Sequence, residues 1–263
     1  MLRSVRRAAL AVLLAAPFLA APRTAESAEC RRVTAEGESY AVCTADLARD
    51  RLRLFWRDGA GKPYESLQRL AKATPRLAFA MNAGMYHPDL APVGLYVEEG
   101  REVTPASRTN GPGNFHMKPN GVFYVGAGAA PRAGVVETGR YLRLKPRAAF
   151  ATQSGPMLVI DGRLHPRISE DGPSKKIRNG VGVRDGGRTA VFAISDRPVS
   201  FGAFARLFKD ELGCANALYL DGSVSALHAP SLNRDDLSFR PLGPMVGALP
   251  MAGALPTAGA PAR

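Results

Sequence analysis

The 263-residue chain has few of the residues that metal and cofactor sites most often use, with three cysteines, four histidines and one tryptophan. The histidines are His87, His116, His165 and His228. They are scattered without the spacing of metal ligands, which argues against a zinc site built from protein side chains alone. A G-x-S-x-G sequence and a P-loop sequence are also absent. These absences disfavour the corresponding serine hydrolases and nucleotide-binding enzymes.

Long apolar runs are missing except near the N-terminus. There a basic segment precedes an apolar run over 8–21, which Pro17 interrupts. A membrane-spanning helix needs about 20 such residues, so this run is short for a span and typical of a secretory signal. Small residues predict cleavage near Ser27 or Ala28. We therefore expect residues 1–28 to be a signal peptide and the mature chain to be periplasmic or secreted without a membrane span, with an uncleaved tether as the alternative.

Acidic residues are scarce relative to basic ones, and the formal net charge is +12. The signal segment carries four arginines and one glutamate, so the mature chain stays strongly basic. A basic protein attracts phosphates in lipids, wall polymers and nucleic acids without any specific site. The basic residues are not interleaved with aromatic residues as in a base-stacking platform, so no specific nucleic-acid partner is predicted.

All three cysteines, Cys30, Cys43 and Cys214, lie in the predicted mature chain. In an oxidising compartment the natural pair is Cys30 with Cys43, which would join the N-terminus to the first strand. Cys214 follows Gly213 at the end of a predicted helix. It is interpreted as a small buried residue, with a reactive thiol as the alternative.

Short strand-like runs separated by Gly, Pro, Asn and Asp dominate the chain. They cover residues 40–44, 52–56, 77–81, 94–98, 121–125, 157–160, 180–183, 189–194 and 217–220. Two helices are predicted, one over 66–73 and one beginning at Ser200. The pattern predicts one α+β domain over 29–247, a mixed but largely antiparallel curved sheet with a few helices. Residues 248–263 are rich in Ala, Gly and Pro and are expected to form a disordered tail.

Polar residues and glycines follow several of these runs. They are Asn82 and Gly84 after 77–81, Asp196 after 189–194, and Asp221, Gly222 and Ser223 after 217–220. Carboxylates beside glycines at strand ends are typical of a pocket at the edge of a sheet. The alternative interpretation is ordinary turn chemistry, in which the same residues are common.

Five ordered blocks are similar to the motifs of one family. Residues 82–86 resemble N-G-G-Y/F-F, 154–159 resemble G-G-P-x-L-V, 178–183 resemble R-T-A-I/V-G, 194–197 resemble V-x-D-G-R, and 201–223 resemble a helix followed by L-D-G-G-G-S. Together they resemble the phosphodiester glycosidases of the "uncovering enzyme" type over about residues 40–247. The segment 118–123 is similar to that of a bacterial secreted subgroup. The chain departs from the pattern at Val224, which replaces a glycine, and at Asn179, which replaces a threonine.

The resemblance implies a hydrolase that breaks the bond between an anomeric carbon and a phosphodiester oxygen, releasing free sugar and a phosphomonoester. Such a reaction needs carboxylates for an oxocarbenium-like centre and cations for the phosphate. Asp221 and Asp196 are the predicted catalytic residues. The predicted substrate-binding residues are Asn82, Gly84, Lys118, Asn120, Ser154, Gly155, Arg178, Gly222 and Ser223. Arg178 is the first choice for the phosphate and Lys118 the second. Lys175 and Lys176 are expected to form a solvated loop, with a phosphate contact as the alternative.

The predicted partner is a small-molecule or cell-envelope sugar phosphate. No organic cofactor is predicted. A hard divalent cation held by Asp196, Asp221 and phosphate oxygens is left open. The alternative function is a non-catalytic secreted module that binds anionic cell-envelope glycans through its basic face.

Overall fold

The structure is a computed structural model, and it describes residues 28–221 and 223–251. Residues 1–27 of the predicted signal peptide and residues 252–263 of the predicted tail lie outside these ranges, so these parts stay predictions. Within the described ranges, no helix is long and apolar enough to cross a bilayer.

Strands and helices alternate irregularly along the chain, and strands dominate. The strands are β1 Glu29–Ala35, β2 Glu38–Asp46, β3 Asp50–Phe55, β4 Phe79–Asn82, β5 Tyr96–Glu98, β6 Arg101–Thr104, β7 Gly121–Gly126, β8 Ala133–Glu137, β9 Ala148–Ser154, β10 Met157–Ile160, β11 Arg163–Leu164, β12 Asn179–Arg184, β13 Thr189–Ser195, β14 Asn216–Tyr219, β15 Leu227–Ala229, β16 Arg234–Asp235 and β17 Met245–Pro250. The helices are α1 Leu67–Ala73, α2 Thr138–Leu144 and α3 Phe201–Arg206, and a π-helical turn, Leu207–Glu211, continues α3.

The strands form three sheets. The first has seven strands in the order β1-β2-β13-β12-β14-β10-β11, the second has five in the order β16-β15-β4-β17-β3, and the third has five in the order β6-β5-β9-β7-β8. Every strand pairing among the described residues is antiparallel. The predicted α+β class with a largely antiparallel sheet and few helices is confirmed.

A phenylalanine from each sheet meets at the centre of the core. Phe192 of β13 lies 5.3 Å from Phe79 of β4 and 5.7 Å from Phe123 of β7, measured between ring centroids. All three side chains are buried. Because aromatic side chains bury a large apolar area and prefer tilted or edge contacts, this cluster brings the inner faces of the sheets together.

The two predicted helices are present and begin at serine caps. The Ser66 hydroxyl accepts a hydrogen bond from the Arg69 amide, and the Ser200 hydroxyl accepts one from the Ala203 amide. These bonds satisfy amides that have no partner in the first turn of a helix. The apolar face of α3 and its π-turn packs on the first sheet, with Phe204 6.2 Å from Tyr40 between ring centroids.

The predicted start of the tail at residue 248 falls inside a strand. Ala248 is buried, and it pairs with Leu52 of β3 and with Phe79 of β4. Strand β17 therefore lies between two neighbours and is a central strand. The tail was predicted from the content of Ala, Gly and Pro, but β17 continues to Pro250 because its residues pair with β3 and β4.

The predicted disulfide between Cys30 and Cys43 is present. The two residues lie directly opposite each other in the pairing of β1 with β2, and their Cα atoms are 4.0 Å apart. Cys214 is buried and free, and burial raises the pKa of its thiol to about 12. The interpretation of Cys214 as a buried residue is therefore confirmed.

We expect Cys30→Ala combined with Cys43→Ala to lower the free energy of unfolding by about 2 to 3 kcal/mol, since cross-linking a loop of about 15 residues restricts the unfolded chain by that amount. Guanidinium denaturation of the mature protein measures the change. Wild-type protein unfolded with a reductant is the control and should match the double variant. A difference below about 0.5 kcal/mol would show that strand pairing alone holds the N-terminus.

Candidate functional site

A two-part cleft lies where the first and second sheets end. The first part, the Asp221 half, has a volume of about 960 Å³ and is lined by the segments 85–90 and 112–116 together with Asp221. The second part, the Asp196 half, has a volume of about 630 Å³ and is lined by Ile177, Asp196 and the segment 234–240. The halves share four wall residues, which are Lys176, Ser223, Val224 and Arg240. Both volumes lie within the range of about 300–1,000 Å³ that is usual for ligand sites.

Asp221 follows the end of β14 and contributes a carboxylate to the cleft although only 7% of the residue is exposed. Its backbone amide donates a hydrogen bond to Asn179 Oδ1 at 3.0 Å. Its own Oδ1 accepts one from the Ser223 amide at 2.9 Å. The predicted residue Gly222 lies outside the described residues. The Asn179 side chain thus fixes the backbone of Asp221, and the Ser223 amide fixes its carboxylate.

Asn179 connects the two sheets beneath the cleft. It is fully buried at the start of β12, and its Nδ2 donates to the Asn82 carbonyl at 2.9 Å and to Asn82 Oδ1 at 3.1 Å. Asn82 Oδ1 also accepts from the Ala226 amide at 2.9 Å. The predicted residue Asn82 therefore lies at the site as a buried support. In the sequence, Asn179 stood out only as a departure from a motif. The feature that could have indicated its role is a polar amide directly before an apolar strand.

Asn120 and Gly155 support the segment 114–116 from behind. Asn120 Nδ2 donates to the Phe115 carbonyl at 2.8 Å, and its Oδ1 accepts from the Thr138 hydroxyl at 2.9 Å. A Cβ atom at Gly155 would lie 2.7 Å from Asn120 Cβ and 3.0 Å from the Phe115 carbonyl oxygen. Only glycine fits this space without displacing its neighbours. Both predicted residues are thus close to the cleft, but they stabilise its wall from within.

Ser154 and Gly84 have similar supporting positions. The buried Ser154 hydroxyl donates a hydrogen bond to the Leu220 carbonyl, the residue before Asp221. A Cβ atom at Gly84 would lie 2.4 Å from Thr152 Oγ1, so the chain after β4 approaches β9 too closely for any larger residue. These predicted residues determine where the strand ends lie relative to one another.

Arg178 is fully buried and does not belong to the residues that line the cleft in the described chain. Its Nε donates to the Val199 carbonyl at 2.9 Å and its Nη2 to the Ser174 carbonyl at 2.7 Å. The guanidinium lies 3.5 Å from the centroid of the Phe201 ring. Burial lowers the pKa of Arg178. These contacts hold the loop that carries Lys176, and the expected contact of Arg178 with phosphate stays a prediction.

Lys118 also has its partners away from the cleft. Its Nζ donates to the Arg108 carbonyl at 2.8 Å and to Asn110 Oδ1 at 2.6 Å. It is not among the residues that line either half of the cleft. The contacts of Lys118 fasten the loop before the segment 112–116 and so support the Asp221 half indirectly.

The cations that line both halves are Lys176 and Arg240, and both are exposed. The Lys176 backbone is fixed by two hydrogen bonds with Val199, at 3.2 and 2.9 Å. Lys175 and Lys176 were expected to behave alike as a solvated pair. The structure separates them, because Lys176 lines the cleft and Lys175 lines a different hollow beside Arg206.

Asp196 lies in the Asp196 half with both carboxylate oxygens bonded. Its Oδ2 accepts from Arg32 Nη1 at 2.8 Å and from the Ser39 hydroxyl at 2.6 Å, and its Oδ1 accepts from Arg234 Nη1 at 2.7 Å. Arg234 also forms an ion pair with Asp236 at 2.8 Å. The two predicted catalytic carboxylates thus lie in different environments, because arginines bond Asp196 and the Ser223 backbone amide bonds Asp221.

The Asp221 half is also lined by Tyr86, His87 and His116, and of these the sequence indicated only Tyr86, as the last residue of the block 82–86. The Tyr86 hydroxyl donates to the Pro241 carbonyl at 3.1 Å. Burial, and to a smaller extent the charge of Asp221, raise the pKa of Tyr86 to about 12. Tyr86 is therefore a neutral hydrogen-bond donor at ordinary pH. The two histidines come from separate loops, so their spacing along the chain held no signal.

Within residues 28–221 and 223–251, no three His, Cys, Asp or Glu side chains converge as ligands for a metal ion. A cation shared between Asp196, Asp221 and a bound phosphate stays a hypothesis. The surroundings of Asp196 are already rich in positive charge from Arg32 and Arg234.

Comparison with known proteins gives one family match and several similar folds. The model of a family described as phosphodiester glycosidase matches residues 76–249. The Escherichia coli protein YigE, which is described as uncharacterized, is 36% identical over 188 residues, covering 70% of this chain and 72% of its own.

Three solved structures share the fold. The catalytic domain of zebrafish N-acetylglucosamine-1-phosphodiester alpha-N-acetylglucosaminidase, auto-inhibited by its pro-peptide, aligns with a TM-score of 0.58 at 13% identity over 84% of this chain and 81% of that one. A Burkholderia pseudomallei protein, described as a candidate exported protein, aligns with a TM-score of 0.54 at 14% identity over 81% and 74%. A hypothetical protein from Synechocystis aligns with a TM-score of 0.53 at 16% identity over 85% and 62%.

We expect Asn179→Ala to lower the free energy of unfolding by about 2 to 3 kcal/mol, because it leaves buried groups of Asn82 and Asp221 without their partner. Urea denaturation followed by circular dichroism measures the change. Lys72→Ala alters an exposed side chain of α1 and should change the value by less than about 0.5 kcal/mol. Equal stability of Asn179→Ala and the wild type would show that the amide network does not hold the two sheets together.

Proposed function

The chain belongs to the phosphodiester glycosidase family, and from this premise we propose that it hydrolyses the bond between a sugar anomeric carbon and a phosphodiester oxygen. The products are the free sugar and a phosphomonoester. The observation that carries the proposal is the position of Asp221 in one cleft with the exposed cations Lys176 and Arg240. The cleft thus offers a carboxylate for the sugar and positive charge for the phosphate.

The proposed reaction exchanges one carbon–oxygen bond for another. The bond from the anomeric carbon to the phosphate oxygen breaks, and its electron pair leaves with the phosphate. A water oxygen bonds to the anomeric carbon, and the proton that this water loses passes to a carboxylate or to solvent. Because phosphate is a good leaving group, the reaction depends less on a strong general acid than ordinary glycoside hydrolysis does.

We assign the carboxylate that acts at the sugar to Asp221. A negative charge at this point stabilises the positive charge that develops at the anomeric carbon. The hydrogen bond that the Asp221 amide donates to Asn179 and the one that its carboxylate accepts from the Ser223 amide orient Asp221 before substrate binds, so little reorganisation is needed during the reaction. Asp196 is assigned as a positioning residue, because its ion pair holds Arg234 in the wall of the Asp196 half.

The phosphate is assigned to the boundary between the two halves. Lys176 and Arg240 line both halves, so a phosphate placed there would have the sugar on one side and the aglycone on the other. Guanidinium and ammonium groups donate strong, charge-assisted hydrogen bonds to phosphate oxygens. Ser223 lies at the same boundary and adds a hydroxyl to this site.

The sugar is assigned to the Asp221 half. Tyr86, His87 and His116 line it and offer polar groups for hydroxyls. The predicted binding residues Asn82, Gly84, Asn120, Ser154 and Gly155 are assigned a supporting role, because the structure engages them in the layer behind the cleft.

We place the protein in the periplasm or outside the cell, where it would act on a small-molecule or cell-envelope sugar phosphate. The Cys30–Cys43 disulfide supports this location, since such bonds persist in oxidising compartments. An apolar run behind a basic N-terminus supports it as well.

We expect Asp221→Asn to lower turnover of sugar 1-phosphodiesters by at least about 1,000-fold, since it removes the charge that stabilises the transition state. Release of free sugar from a panel of such esters measures the effect. Asp171→Asn, at a carboxylate with a side chain 95% exposed, should keep wild-type activity. A wild-type protein that turns over nothing on the panel, while both proteins bind anionic glycans, would favour a non-catalytic binding module.

We expect Lys176→Gln and Arg240→Gln each to raise KM by about tenfold, because each removes one charge-assisted contact with phosphate. Steady-state kinetics on the preferred ester measures this change. Lys175→Gln is the matched control, since this neighbouring lysine does not line the cleft, and its KM should stay within about twofold of wild type. An unchanged KM in both cleft variants would place the phosphate elsewhere.

A further inference from the structure

Large apolar side chains are exposed at six positions among the described residues, and three of these positions line the Asp196 half. The six are Val103, Leu144, Ile177, Leu237, Phe239 and Met251. Phe239 is fully exposed and Leu237 is 77% exposed, and both lie in the segment 234–240. Exposing such side chains to water is unfavourable, so clustering them at one cleft indicates a binding surface.

The same half carries the cations at its boundary with the Asp221 half. Lys176 directly precedes Ile177, and Arg240 directly follows Phe239, so these two apolar residues each have a cation beside them along the chain. The two acidic residues of this half are Asp196 and Asp236, and Arg234 bonds to both of them. Lys176 and Arg240 therefore supply the positive charge at the boundary, and apolar surface extends away from it.

We propose that the Asp196 half is an aglycone subsite for a phosphate that carries an apolar chain. This inference rests on the proposed function, and it assigns the substrate class as a sugar phosphodiester with an amphipathic, lipid-like aglycone. Lys176 and Arg240 hold the phosphate, and Ile177, Leu237 and Phe239 cover the first part of the chain. The sugar then lies on the other side of the phosphate, beside Asp221.

The order of chemical groups along the cleft favours this arrangement over a second sugar as aglycone. A sugar would need several polar side chains directed at its hydroxyls. The polar side chains beyond the boundary bond within the protein, Arg234 to Asp196 and Asp236, Ser225 to the Asp221 carbonyl and Ser238 to the Arg240 carbonyl, whereas Ile177, Leu237 and Phe239 offer exposed apolar surface. Burying methylene groups against them removes apolar area from water on both partners. A chain of several methylene groups is therefore the occupant that this surface stabilises most.

Binding of octyl phosphate and methyl phosphate to the mature protein tests the proposal by isothermal titration calorimetry, with octyl phosphate below its micelle-forming concentration. These probes resemble the proposed phosphomonoester product, so binding is measured without any turnover. We expect octyl phosphate to bind about tenfold or more tightly than methyl phosphate, the ratio that burial of about two methylene groups produces.

Leu237→Ser combined with Phe239→Ser should remove this preference and leave methyl phosphate binding unchanged. The matched control is Leu144→Ser, which alters an exposed leucine at the end of α2 and should keep the preference. Equal affinity of the wild type for the two probes would overturn the proposal. A loss of the preference in Leu144→Ser as large as that in the double variant would overturn it as well. Sedimentation with phosphatidylglycerol vesicles, without binding of monomeric octyl phosphate, would also overturn it in favour of docking to a membrane surface.

The binding measurement separates this inference from the proposed reaction. A preference for octyl phosphate in a protein that hydrolyses no sugar phosphodiester would keep the subsite and remove the proposed activity. Turnover of short-chain esters without any preference for octyl phosphate would keep the activity and remove the subsite.

Discussion

The buried amide of Asn179 is the interaction on which the candidate site depends. It lies at the start of β12 in the first sheet, bonds Asn82 at the end of β4 in the second, and accepts the backbone amide of Asp221. Buried amide groups without partners are costly, so all of these contacts form together or are lost together. The position of the Asp221 backbone therefore depends on how the two sheets are joined.

The charges around the cleft are divided between two arrangements. In the Asp196 half, Arg234 is bonded to both Asp196 and Asp236, and Arg32 bonds Asp196 from outside the half. Lys176 and Arg240 lie at the boundary between the halves, where they are exposed and line both. The charges of Arg234, Asp196 and Asp236 offset one another, whereas those of Lys176 and Arg240 are exposed. An anion is therefore attracted to the boundary between the halves.

The motifs that indicated the family lie mainly in the layer under the cleft. Gly84 and Gly155 leave no room for a side chain, and Asn120 bonds main-chain or side-chain groups of its neighbours. Such positions require a particular residue type for reasons of packing, so they form patterns that can be read along the chain. The lining residues His87 and Arg240 lie outside the matched blocks, and this is why no pattern indicated them.

The sequence by itself determined the strand-rich α+β class, the two capped helices, the Cys30–Cys43 pair and the place of Asp221 at a strand end. Local periodicity, turn residues and short spacing encode these features, since each depends on neighbours along the chain. Only the tertiary structure decided that Arg178 is buried, that Lys176 rather than Lys175 lines the cleft, and that β17 is a central strand. Each of these depends on contacts between segments far apart in sequence, and the packing of three sheets around Phe192 brings those segments together.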